Sequence, residues 1–128
     1  MKFLSKNAIK LLLGLLTAIT IFHICILLKI IPYDIAWGGR LQNDQEMYVF
    51  ESISMLVNLF LIWILLMRGN LVKFKFSIRV VNIILWIFFV IFILNTIGNV
   101  FAKTNFEKFF ALVTGLFAFL LLKIIKQK

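Results

Sequence analysis

A chain of 128 residues that is 63% hydrophobic and only 15% charged, with a mean hydropathy of +1.08, has too few polar side chains to coat a water-facing surface, since soluble domains average about 25% charged residues. At about 20 apolar residues per crossing, the chain holds four membrane helices with short connections and leaves no room for a soluble catalytic domain. The net charge of +9 lies between the apolar runs and not on a basic face with interleaved aromatics, which excludes nucleic acid as the expected partner and points to anionic lipid headgroups.

The first apolar run, Leu11 to Leu28, follows Lys2, Lys6 and Lys10 and stops at Lys29 and Pro32. Its core of about 18 residues exceeds the 7–15 of a signal peptide, and no small-residue cleavage pattern follows, so it reads as a retained helix over residues 8–31 or so. Thr17, Thr20 and His23 share a broad face of it, and Gly14 and Ala18 form a small-x-x-x-small pair of the kind that lets membrane helices approach.

The connection from Pro32 to Phe50 is the long polar one, with the single proline of the chain. Tyr33, Trp37 and Tyr48 suit the membrane interface. Gly38 and Gly39 permit positive φ and close backbone approach, and Arg40 adds a planar donor fork. Arg40 is expected either to pair with Glu51 or, with it, to grip opposite ends of a zwitterionic solute, with Asp34 and Trp37 beside the ligand. A turn anchored by interfacial aromatics is the structural alternative, and Gly-Gly-Arg lacks the spacing and lysine of a phosphate loop. Trp37, Gly38, Gly39, Arg40 and Leu41, followed by Glu46, Met47, Phe50 and Glu51, resemble a pattern in small uncharacterised bacterial four-helix membrane proteins. The resemblance covers the first half of the chain and implies no activity.

The second helix is expected over about residues 47–67, with Glu51, Ser54 and Asn58 spaced i, i+3, i+7 on one face. In the third, about 79–102, Asn95 and Asn99 are one turn apart beside Gly98. In the fourth, about 105–126, Glu107, Ala111, Thr114 and Ala118 share a face backed by Gly115.

Charge sets the expected topology. The N-terminal segment (Lys2, Lys6, Lys10), the second connection (Arg68, Lys73, Lys75, Arg79) and the C-terminal segment (Lys123, Lys126, Lys128) hold ten of the fourteen basic residues. The other side holds Lys29, Arg40, Lys103 and Lys108 with all five acids: Asp34, Asp44, Glu46, Glu51 and Glu107. The positive-inside rule puts both termini in the cytoplasm, and a bacterial inner membrane is the expected location. Counting about 1.5 Å per residue from the outer ends, His23 lies roughly 12 Å deep, Asn95 and Ser54 about 10 Å, and Glu51 and Asn99 about 5–6 Å. An all-α four-helix bundle with these faces inward would gather them around one polar, outward-facing cavity.

Three functions fit that cavity. It can bind or help move a small solute, ion or lipid headgroup, with Glu51, Asn95, Asn99, His23, Arg40, Ser54, Asn58, Trp37 and Asp34 as contacts. It can be the site of a small intramembrane enzyme in which Glu51 and His23 exchange protons with a lipid-like substrate. Or the polar residues only lock helices together in a scaffold or assembly subunit, Glu51 and Glu107 compensating helix dipoles. A homo-oligomer or a partner in a membrane complex is expected in each case. No cofactor is implied and no metal site: His23 is the single histidine, and Cys25 points about 200° away round the same helix.

Overall fold

The computed structural model describes residues 2–33, 41–102 and 104–126. The expected contacts Asp34, Trp37 and Arg40 lie outside the described residues. Four α-helices form among those described: α1 (Lys2–Leu27), α2 (Asp44–Arg68), α3 (Ile78–Val100) and α4 (Asn105–Lys126). Each contains a stretch long and apolar enough to cross a membrane, so the chain has the build of a multi-pass membrane protein. Successive helices run antiparallel, which separates a terminal end, where the chain begins and finishes, from a distal end bearing the α1–α2 and α3–α4 connections.

Helix limits follow local chemistry more closely than the apolar runs do. α2 begins at Asp44, ahead of the apolar stretch, because the Asn43 side chain accepts the Glu46 N–H at 2.9 Å while a Glu46 carboxylate oxygen accepts the Gln42 N–H at 3.0 Å. Such reciprocal capping satisfies amide donors that the first turn leaves over. α1 ends by a left-handed residue, Lys29 (φ 62°), with Ile30 N–H returning to the Cys25 carbonyl at 2.9 Å. Asn70 (φ 58°) closes α2 in the same way, with Leu71 N–H returning to Leu66. Both are Schellman-type ends without glycine at the left-handed position. Asn43→Ala is expected to cost about 1 kcal/mol, read as a lowered unfolding midpoint in detergent.

Beside that cap, Lys29 and Asp44 form an exposed ion pair. The Asp44 carboxylate holds the Lys29 amine above its ordinary 10.5, first by hydrogen bonding and then by charge. A folded-state pKa raised in this way contributes stability that is complete at neutral pH and fades only as pH rises through the raised value. Solvent and salt screen the pair, so Lys29→Met is expected to leave the midpoint at pH 7 unchanged within error in 0.5 M salt, a concentration of the order at which the Debye length is a few ångströms.

The core lies toward the terminal end, where Leu12, Leu16, Leu61, Ile64, Leu65, Leu85, Leu121 and Ile124 are all fully buried. Arg68 at the end of α2 donates to the Ile124 carbonyl at 3.0 Å, tying α2 to the last turn of α4. A smaller cluster of Ile26, Leu41 and Met47 seats the start of α2 on the end of α1. α3 and α4 pack most extensively and α2 and α3 least among the neighbouring pairs. The outward surface is as apolar as the core, with Leu28, Leu56, Leu94 and Leu112 all more than 60% exposed, as a bilayer solvent requires.

Candidate functional site

The loose α2–α3 pairing shapes the distal half. Toward the terminal end the two helices share the main core and a Phe60–Phe88 ring contact at 6.3 Å. Beyond that contact a cleft of about 840 Å³ opens, lined by all four helices. That volume is within the range of small-molecule sites. Ser54 and Asn58 from α2, Asn95 and Asn99 from α3, Glu107 and Thr114 from α4, and His23 from α1 contribute its polar lining, together with Glu46 at the mouth.

His23 and Glu51 meet at this level. Nδ1 of the imidazole and Oε2 of the carboxyl share a hydrogen bond across the α1–α2 interface. Glu51 is fully buried and the His23 side chain is 16% exposed, so the imidazole faces the cleft and the carboxyl stands behind it. The spacing along the chain explains the meeting: His23 is one turn from the end of α1, and Met47 and Ile26 are both fully buried in the cluster that fixes the register of α2 against it. Phe22 packs on the His23 ring at 5.9 Å and on Phe106 and Phe110 of α4 at 5.6 and 5.5 Å. Those rings close the α1–α4 side and hold the imidazole in place.

Glu107 has a structural part as well as a place in the lining. Its N–H donates to Thr104 Oγ1 at 3.1 Å and its carboxylate accepts from the same hydroxyl at 2.9 Å, a capping arrangement for α4. Thr114 accounts for its hydroxyl by bonding Phe110 O at 3.0 Å and Thr96 Oγ1 at 2.9 Å. Thr96 was not singled out in the sequence. It continues the buried stripe Val81, Leu85, Phe88 and Phe92 by one further turn, but in a helix apolar all round no stripe is visible in advance. Gly115 stands beside this contact, and a Cβ there would meet the Thr96 methyl at an ordinary van der Waals distance of 3.8 Å, so the pairing does not depend on the glycine.

Two expectations for α1 come out differently. Thr17 and Thr20 donate to the carbonyls of Leu13 and Leu16, both at 2.8 Å, and neither is among the residues that line the cleft with His23. Among the described residues, nothing lies within 4 Å of where a side chain would begin at Gly14 or Gly98. In contrast, among the described residues the side chains of Ser54, Asn58, Asn95 and Asn99 make no hydrogen bond although all four line the cleft. No group of three or more histidine, cysteine or carboxylate side chains able to hold a metal forms among the described residues.

No protein-family model matches the chain, and no curated protein or solved structure matches it either. Function therefore rests on the site.

Proposed function

We propose that the chain is a membrane protein whose distal cleft faces away from the cytoplasm and binds, or helps move, a small solute, ion or lipid headgroup. The observation that carries this reading is the set of polar side chains without a hydrogen bond among the described residues, Ser54, Asn58, Asn95 and Asn99, which line one cavity with His23, behind whose ring Glu51 stands. Side chains that only lock helices together hydrogen-bond one another, as Thr96 and Thr114 do. Amides left open in a low-dielectric surround lose free energy unless water or a ligand reaches them. A second reading is favoured by the pair itself. An imidazole in hydrogen-bond contact with a buried carboxyl has the reach that proton transfer needs, so the same cleft suits acid–base chemistry on a membrane-dissolved substrate.

The test of the first reading is thiol accessibility. In a Cys25→Ala background, Ser54→Cys and Asn95→Cys are each exposed, in intact cells, to a charged thiol reagent that does not cross membranes. Both are expected to react, because the thiolate forms only where water enters, and Leu112→Cys, 71% exposed on the outer surface of α4, is expected to stay unmodified in lipid. Protection of both cleft positions in intact cells, with modification only after the cytoplasmic face is opened, would reverse the orientation; protection on both faces would remove the cavity from contact with water and with it this reading.

A further inference from the structure

We propose that the ligand is a lipid of the surrounding leaflet with a neutral head that carries hydroxyl and ester-carbonyl groups, and that it enters sideways between α2 and α3. The proposal rests on the reading of the cleft as a binding site and narrows it to one occupant.

The walls of the opening come first. Ile53 and Val57 on α2 are 51% and 38% exposed, and Ile91 and Leu94 on α3 are 38% and 63% exposed, yet all four line the cleft. Residues that are at once lining and outer surface mark an edge; Asn95 and Gly98 of α3 belong to it as well, and the rest of it between α2 and α3 is apolar. In a bilayer it opens onto hydrocarbon and not onto water, which gives acyl chains a passage that a dissolved solute has no reason to take. The floor, formed where Phe88, Phe92 and Phe117 line the cleft and Phe60 meets Phe88, stops penetration toward the terminal end. A head drawn into the cleft therefore leaves its chains running out between α2 and α3.

The chemistry of the lining then selects the head. The four lining side chains that make no hydrogen bond among the described residues are three amides and one hydroxyl, beside the His23 imidazole and the carboxyls of Glu46 and Glu107. Each amide supplies two N–H donors and one carbonyl acceptor, a match for hydroxyl groups, which give and take, and for ester carbonyls, which only take. Among the described lining residues there is no lysine or arginine, the fork or point charge by which phosphate is ordinarily held. Asn58 lies midway along α2, Ser54 one turn nearer the distal end, and Asn95 and Asn99 on α3 opposite, a ladder of neutral partners spaced over the length of a glycerol ester head.

The experiment uses the full chain in detergent and follows its thermal unfolding midpoint by tryptophan fluorescence, with dioleoylglycerol, dioleoylphosphatidylglycerol, triolein and water-soluble monoacetin as probes. Dioleoylglycerol is expected to raise the midpoint saturably and triolein, which lacks a hydroxyl, to leave it unmoved. Asn58→Ala and Asn95→Ala are each expected to weaken the apparent affinity about five- to tenfold, the effect of one neutral hydrogen bond. Leu94→Trp, a lipid-exposed substitution that narrows the opening, is expected to weaken dioleoylglycerol binding while leaving the midpoint without ligand in place. Equal or stronger stabilisation by phosphatidylglycerol would overturn the neutral head. Stabilisation by monoacetin alone would overturn lateral lipid entry and leave the cleft standing as a solute site. A midpoint that none of the four probes moves would overturn the proposal, and thiol accessibility of Ser54→Cys and Asn95→Cys would then decide separately whether the cleft reading survives.

Discussion

His23→Ala is expected to lower the stability of the purified protein by up to about 3 kcal/mol, because the fully buried Glu51 carboxyl loses its hydrogen bond with the imidazole. Glu51→Gln keeps the volume and a polar atom facing Nδ1, and is expected to cost about 1 kcal/mol, the scale of one exchanged hydrogen bond. The asymmetry follows from where the two groups sit. The histidine borders the cleft, where water or ligand can replace a lost partner, whereas the carboxyl is enclosed. The double variant His23→Ala/Glu51→Gln is expected to be more stable than His23→Ala alone, since an amide costs less than a carboxyl to bury without the imidazole, and a coupling free energy of about 1–2 kcal/mol should remain in the cycle. Additive costs, read from unfolding in a graded denaturing detergent, would show that the two side chains do not depend on one another.

Phe117→Ala is the second large effect, at about 3 kcal/mol. Phe117 is 2% exposed and stands at 89° to Phe92 with ring centroids 5.1 Å apart, at the point where the main core gives way to the floor of the cleft. Lipid tails are as apolar as the core, so most of the cost in a membrane is lost packing and not lost hydrophobic transfer. Leu112→Ala on the same helix, at 71% exposure, is expected to cost almost nothing, because lipid fills the space it vacates. The pair of variants thus separates packing within the protein from contact with lipid along one helix. Phe117→Ala also lengthens the cleft toward the terminal end, and a ligand with a bulkier head is expected to be accommodated by it better than by the parent; equal costs for the two alanine variants would refute the assignment of Phe117 to a packed floor.

Much of the architecture was legible in residue order. Four runs of about 20 apolar residues separated by charge can form little else, because backbone polar groups in hydrocarbon must be satisfied within each segment. Rise per residue alone puts His23, Glu51, Ser54, Asn95 and Asn99 at similar expected levels, and the structure lines one cleft with four of them and bonds the fifth, Glu51, to His23. Thr17 and Thr20, on the same face of α1 as His23, satisfy their hydroxyls on the carbonyl one turn back. Asn43 and Thr104, in contrast, are cap residues whose spacing from Glu46 and Glu107 is visible in the sequence and corresponds to the start of α2 and α4.

What the sequence by itself determined is therefore the number of helices among the described residues, the approximate limits of α2, α3 and α4, and the rank of polar groups along each, whereas α1, expected over about residues 8–31, begins at Lys2 and ends at Leu27. Which faces meet was decided only in three dimensions, for a physical reason. A soluble helix announces its buried face by being apolar on one side, whereas these helices are apolar on every side, and core and lipid make the same demand on a leucine or a phenylalanine. Shape settles the matter instead. Phe60 on Phe88 and Thr96 on Thr114 fix how α2, α3 and α4 pack. Met47 against Ile26 sets α2 on α1 and brings Glu51 to His23, and the room left between α2 and α3 becomes the cleft.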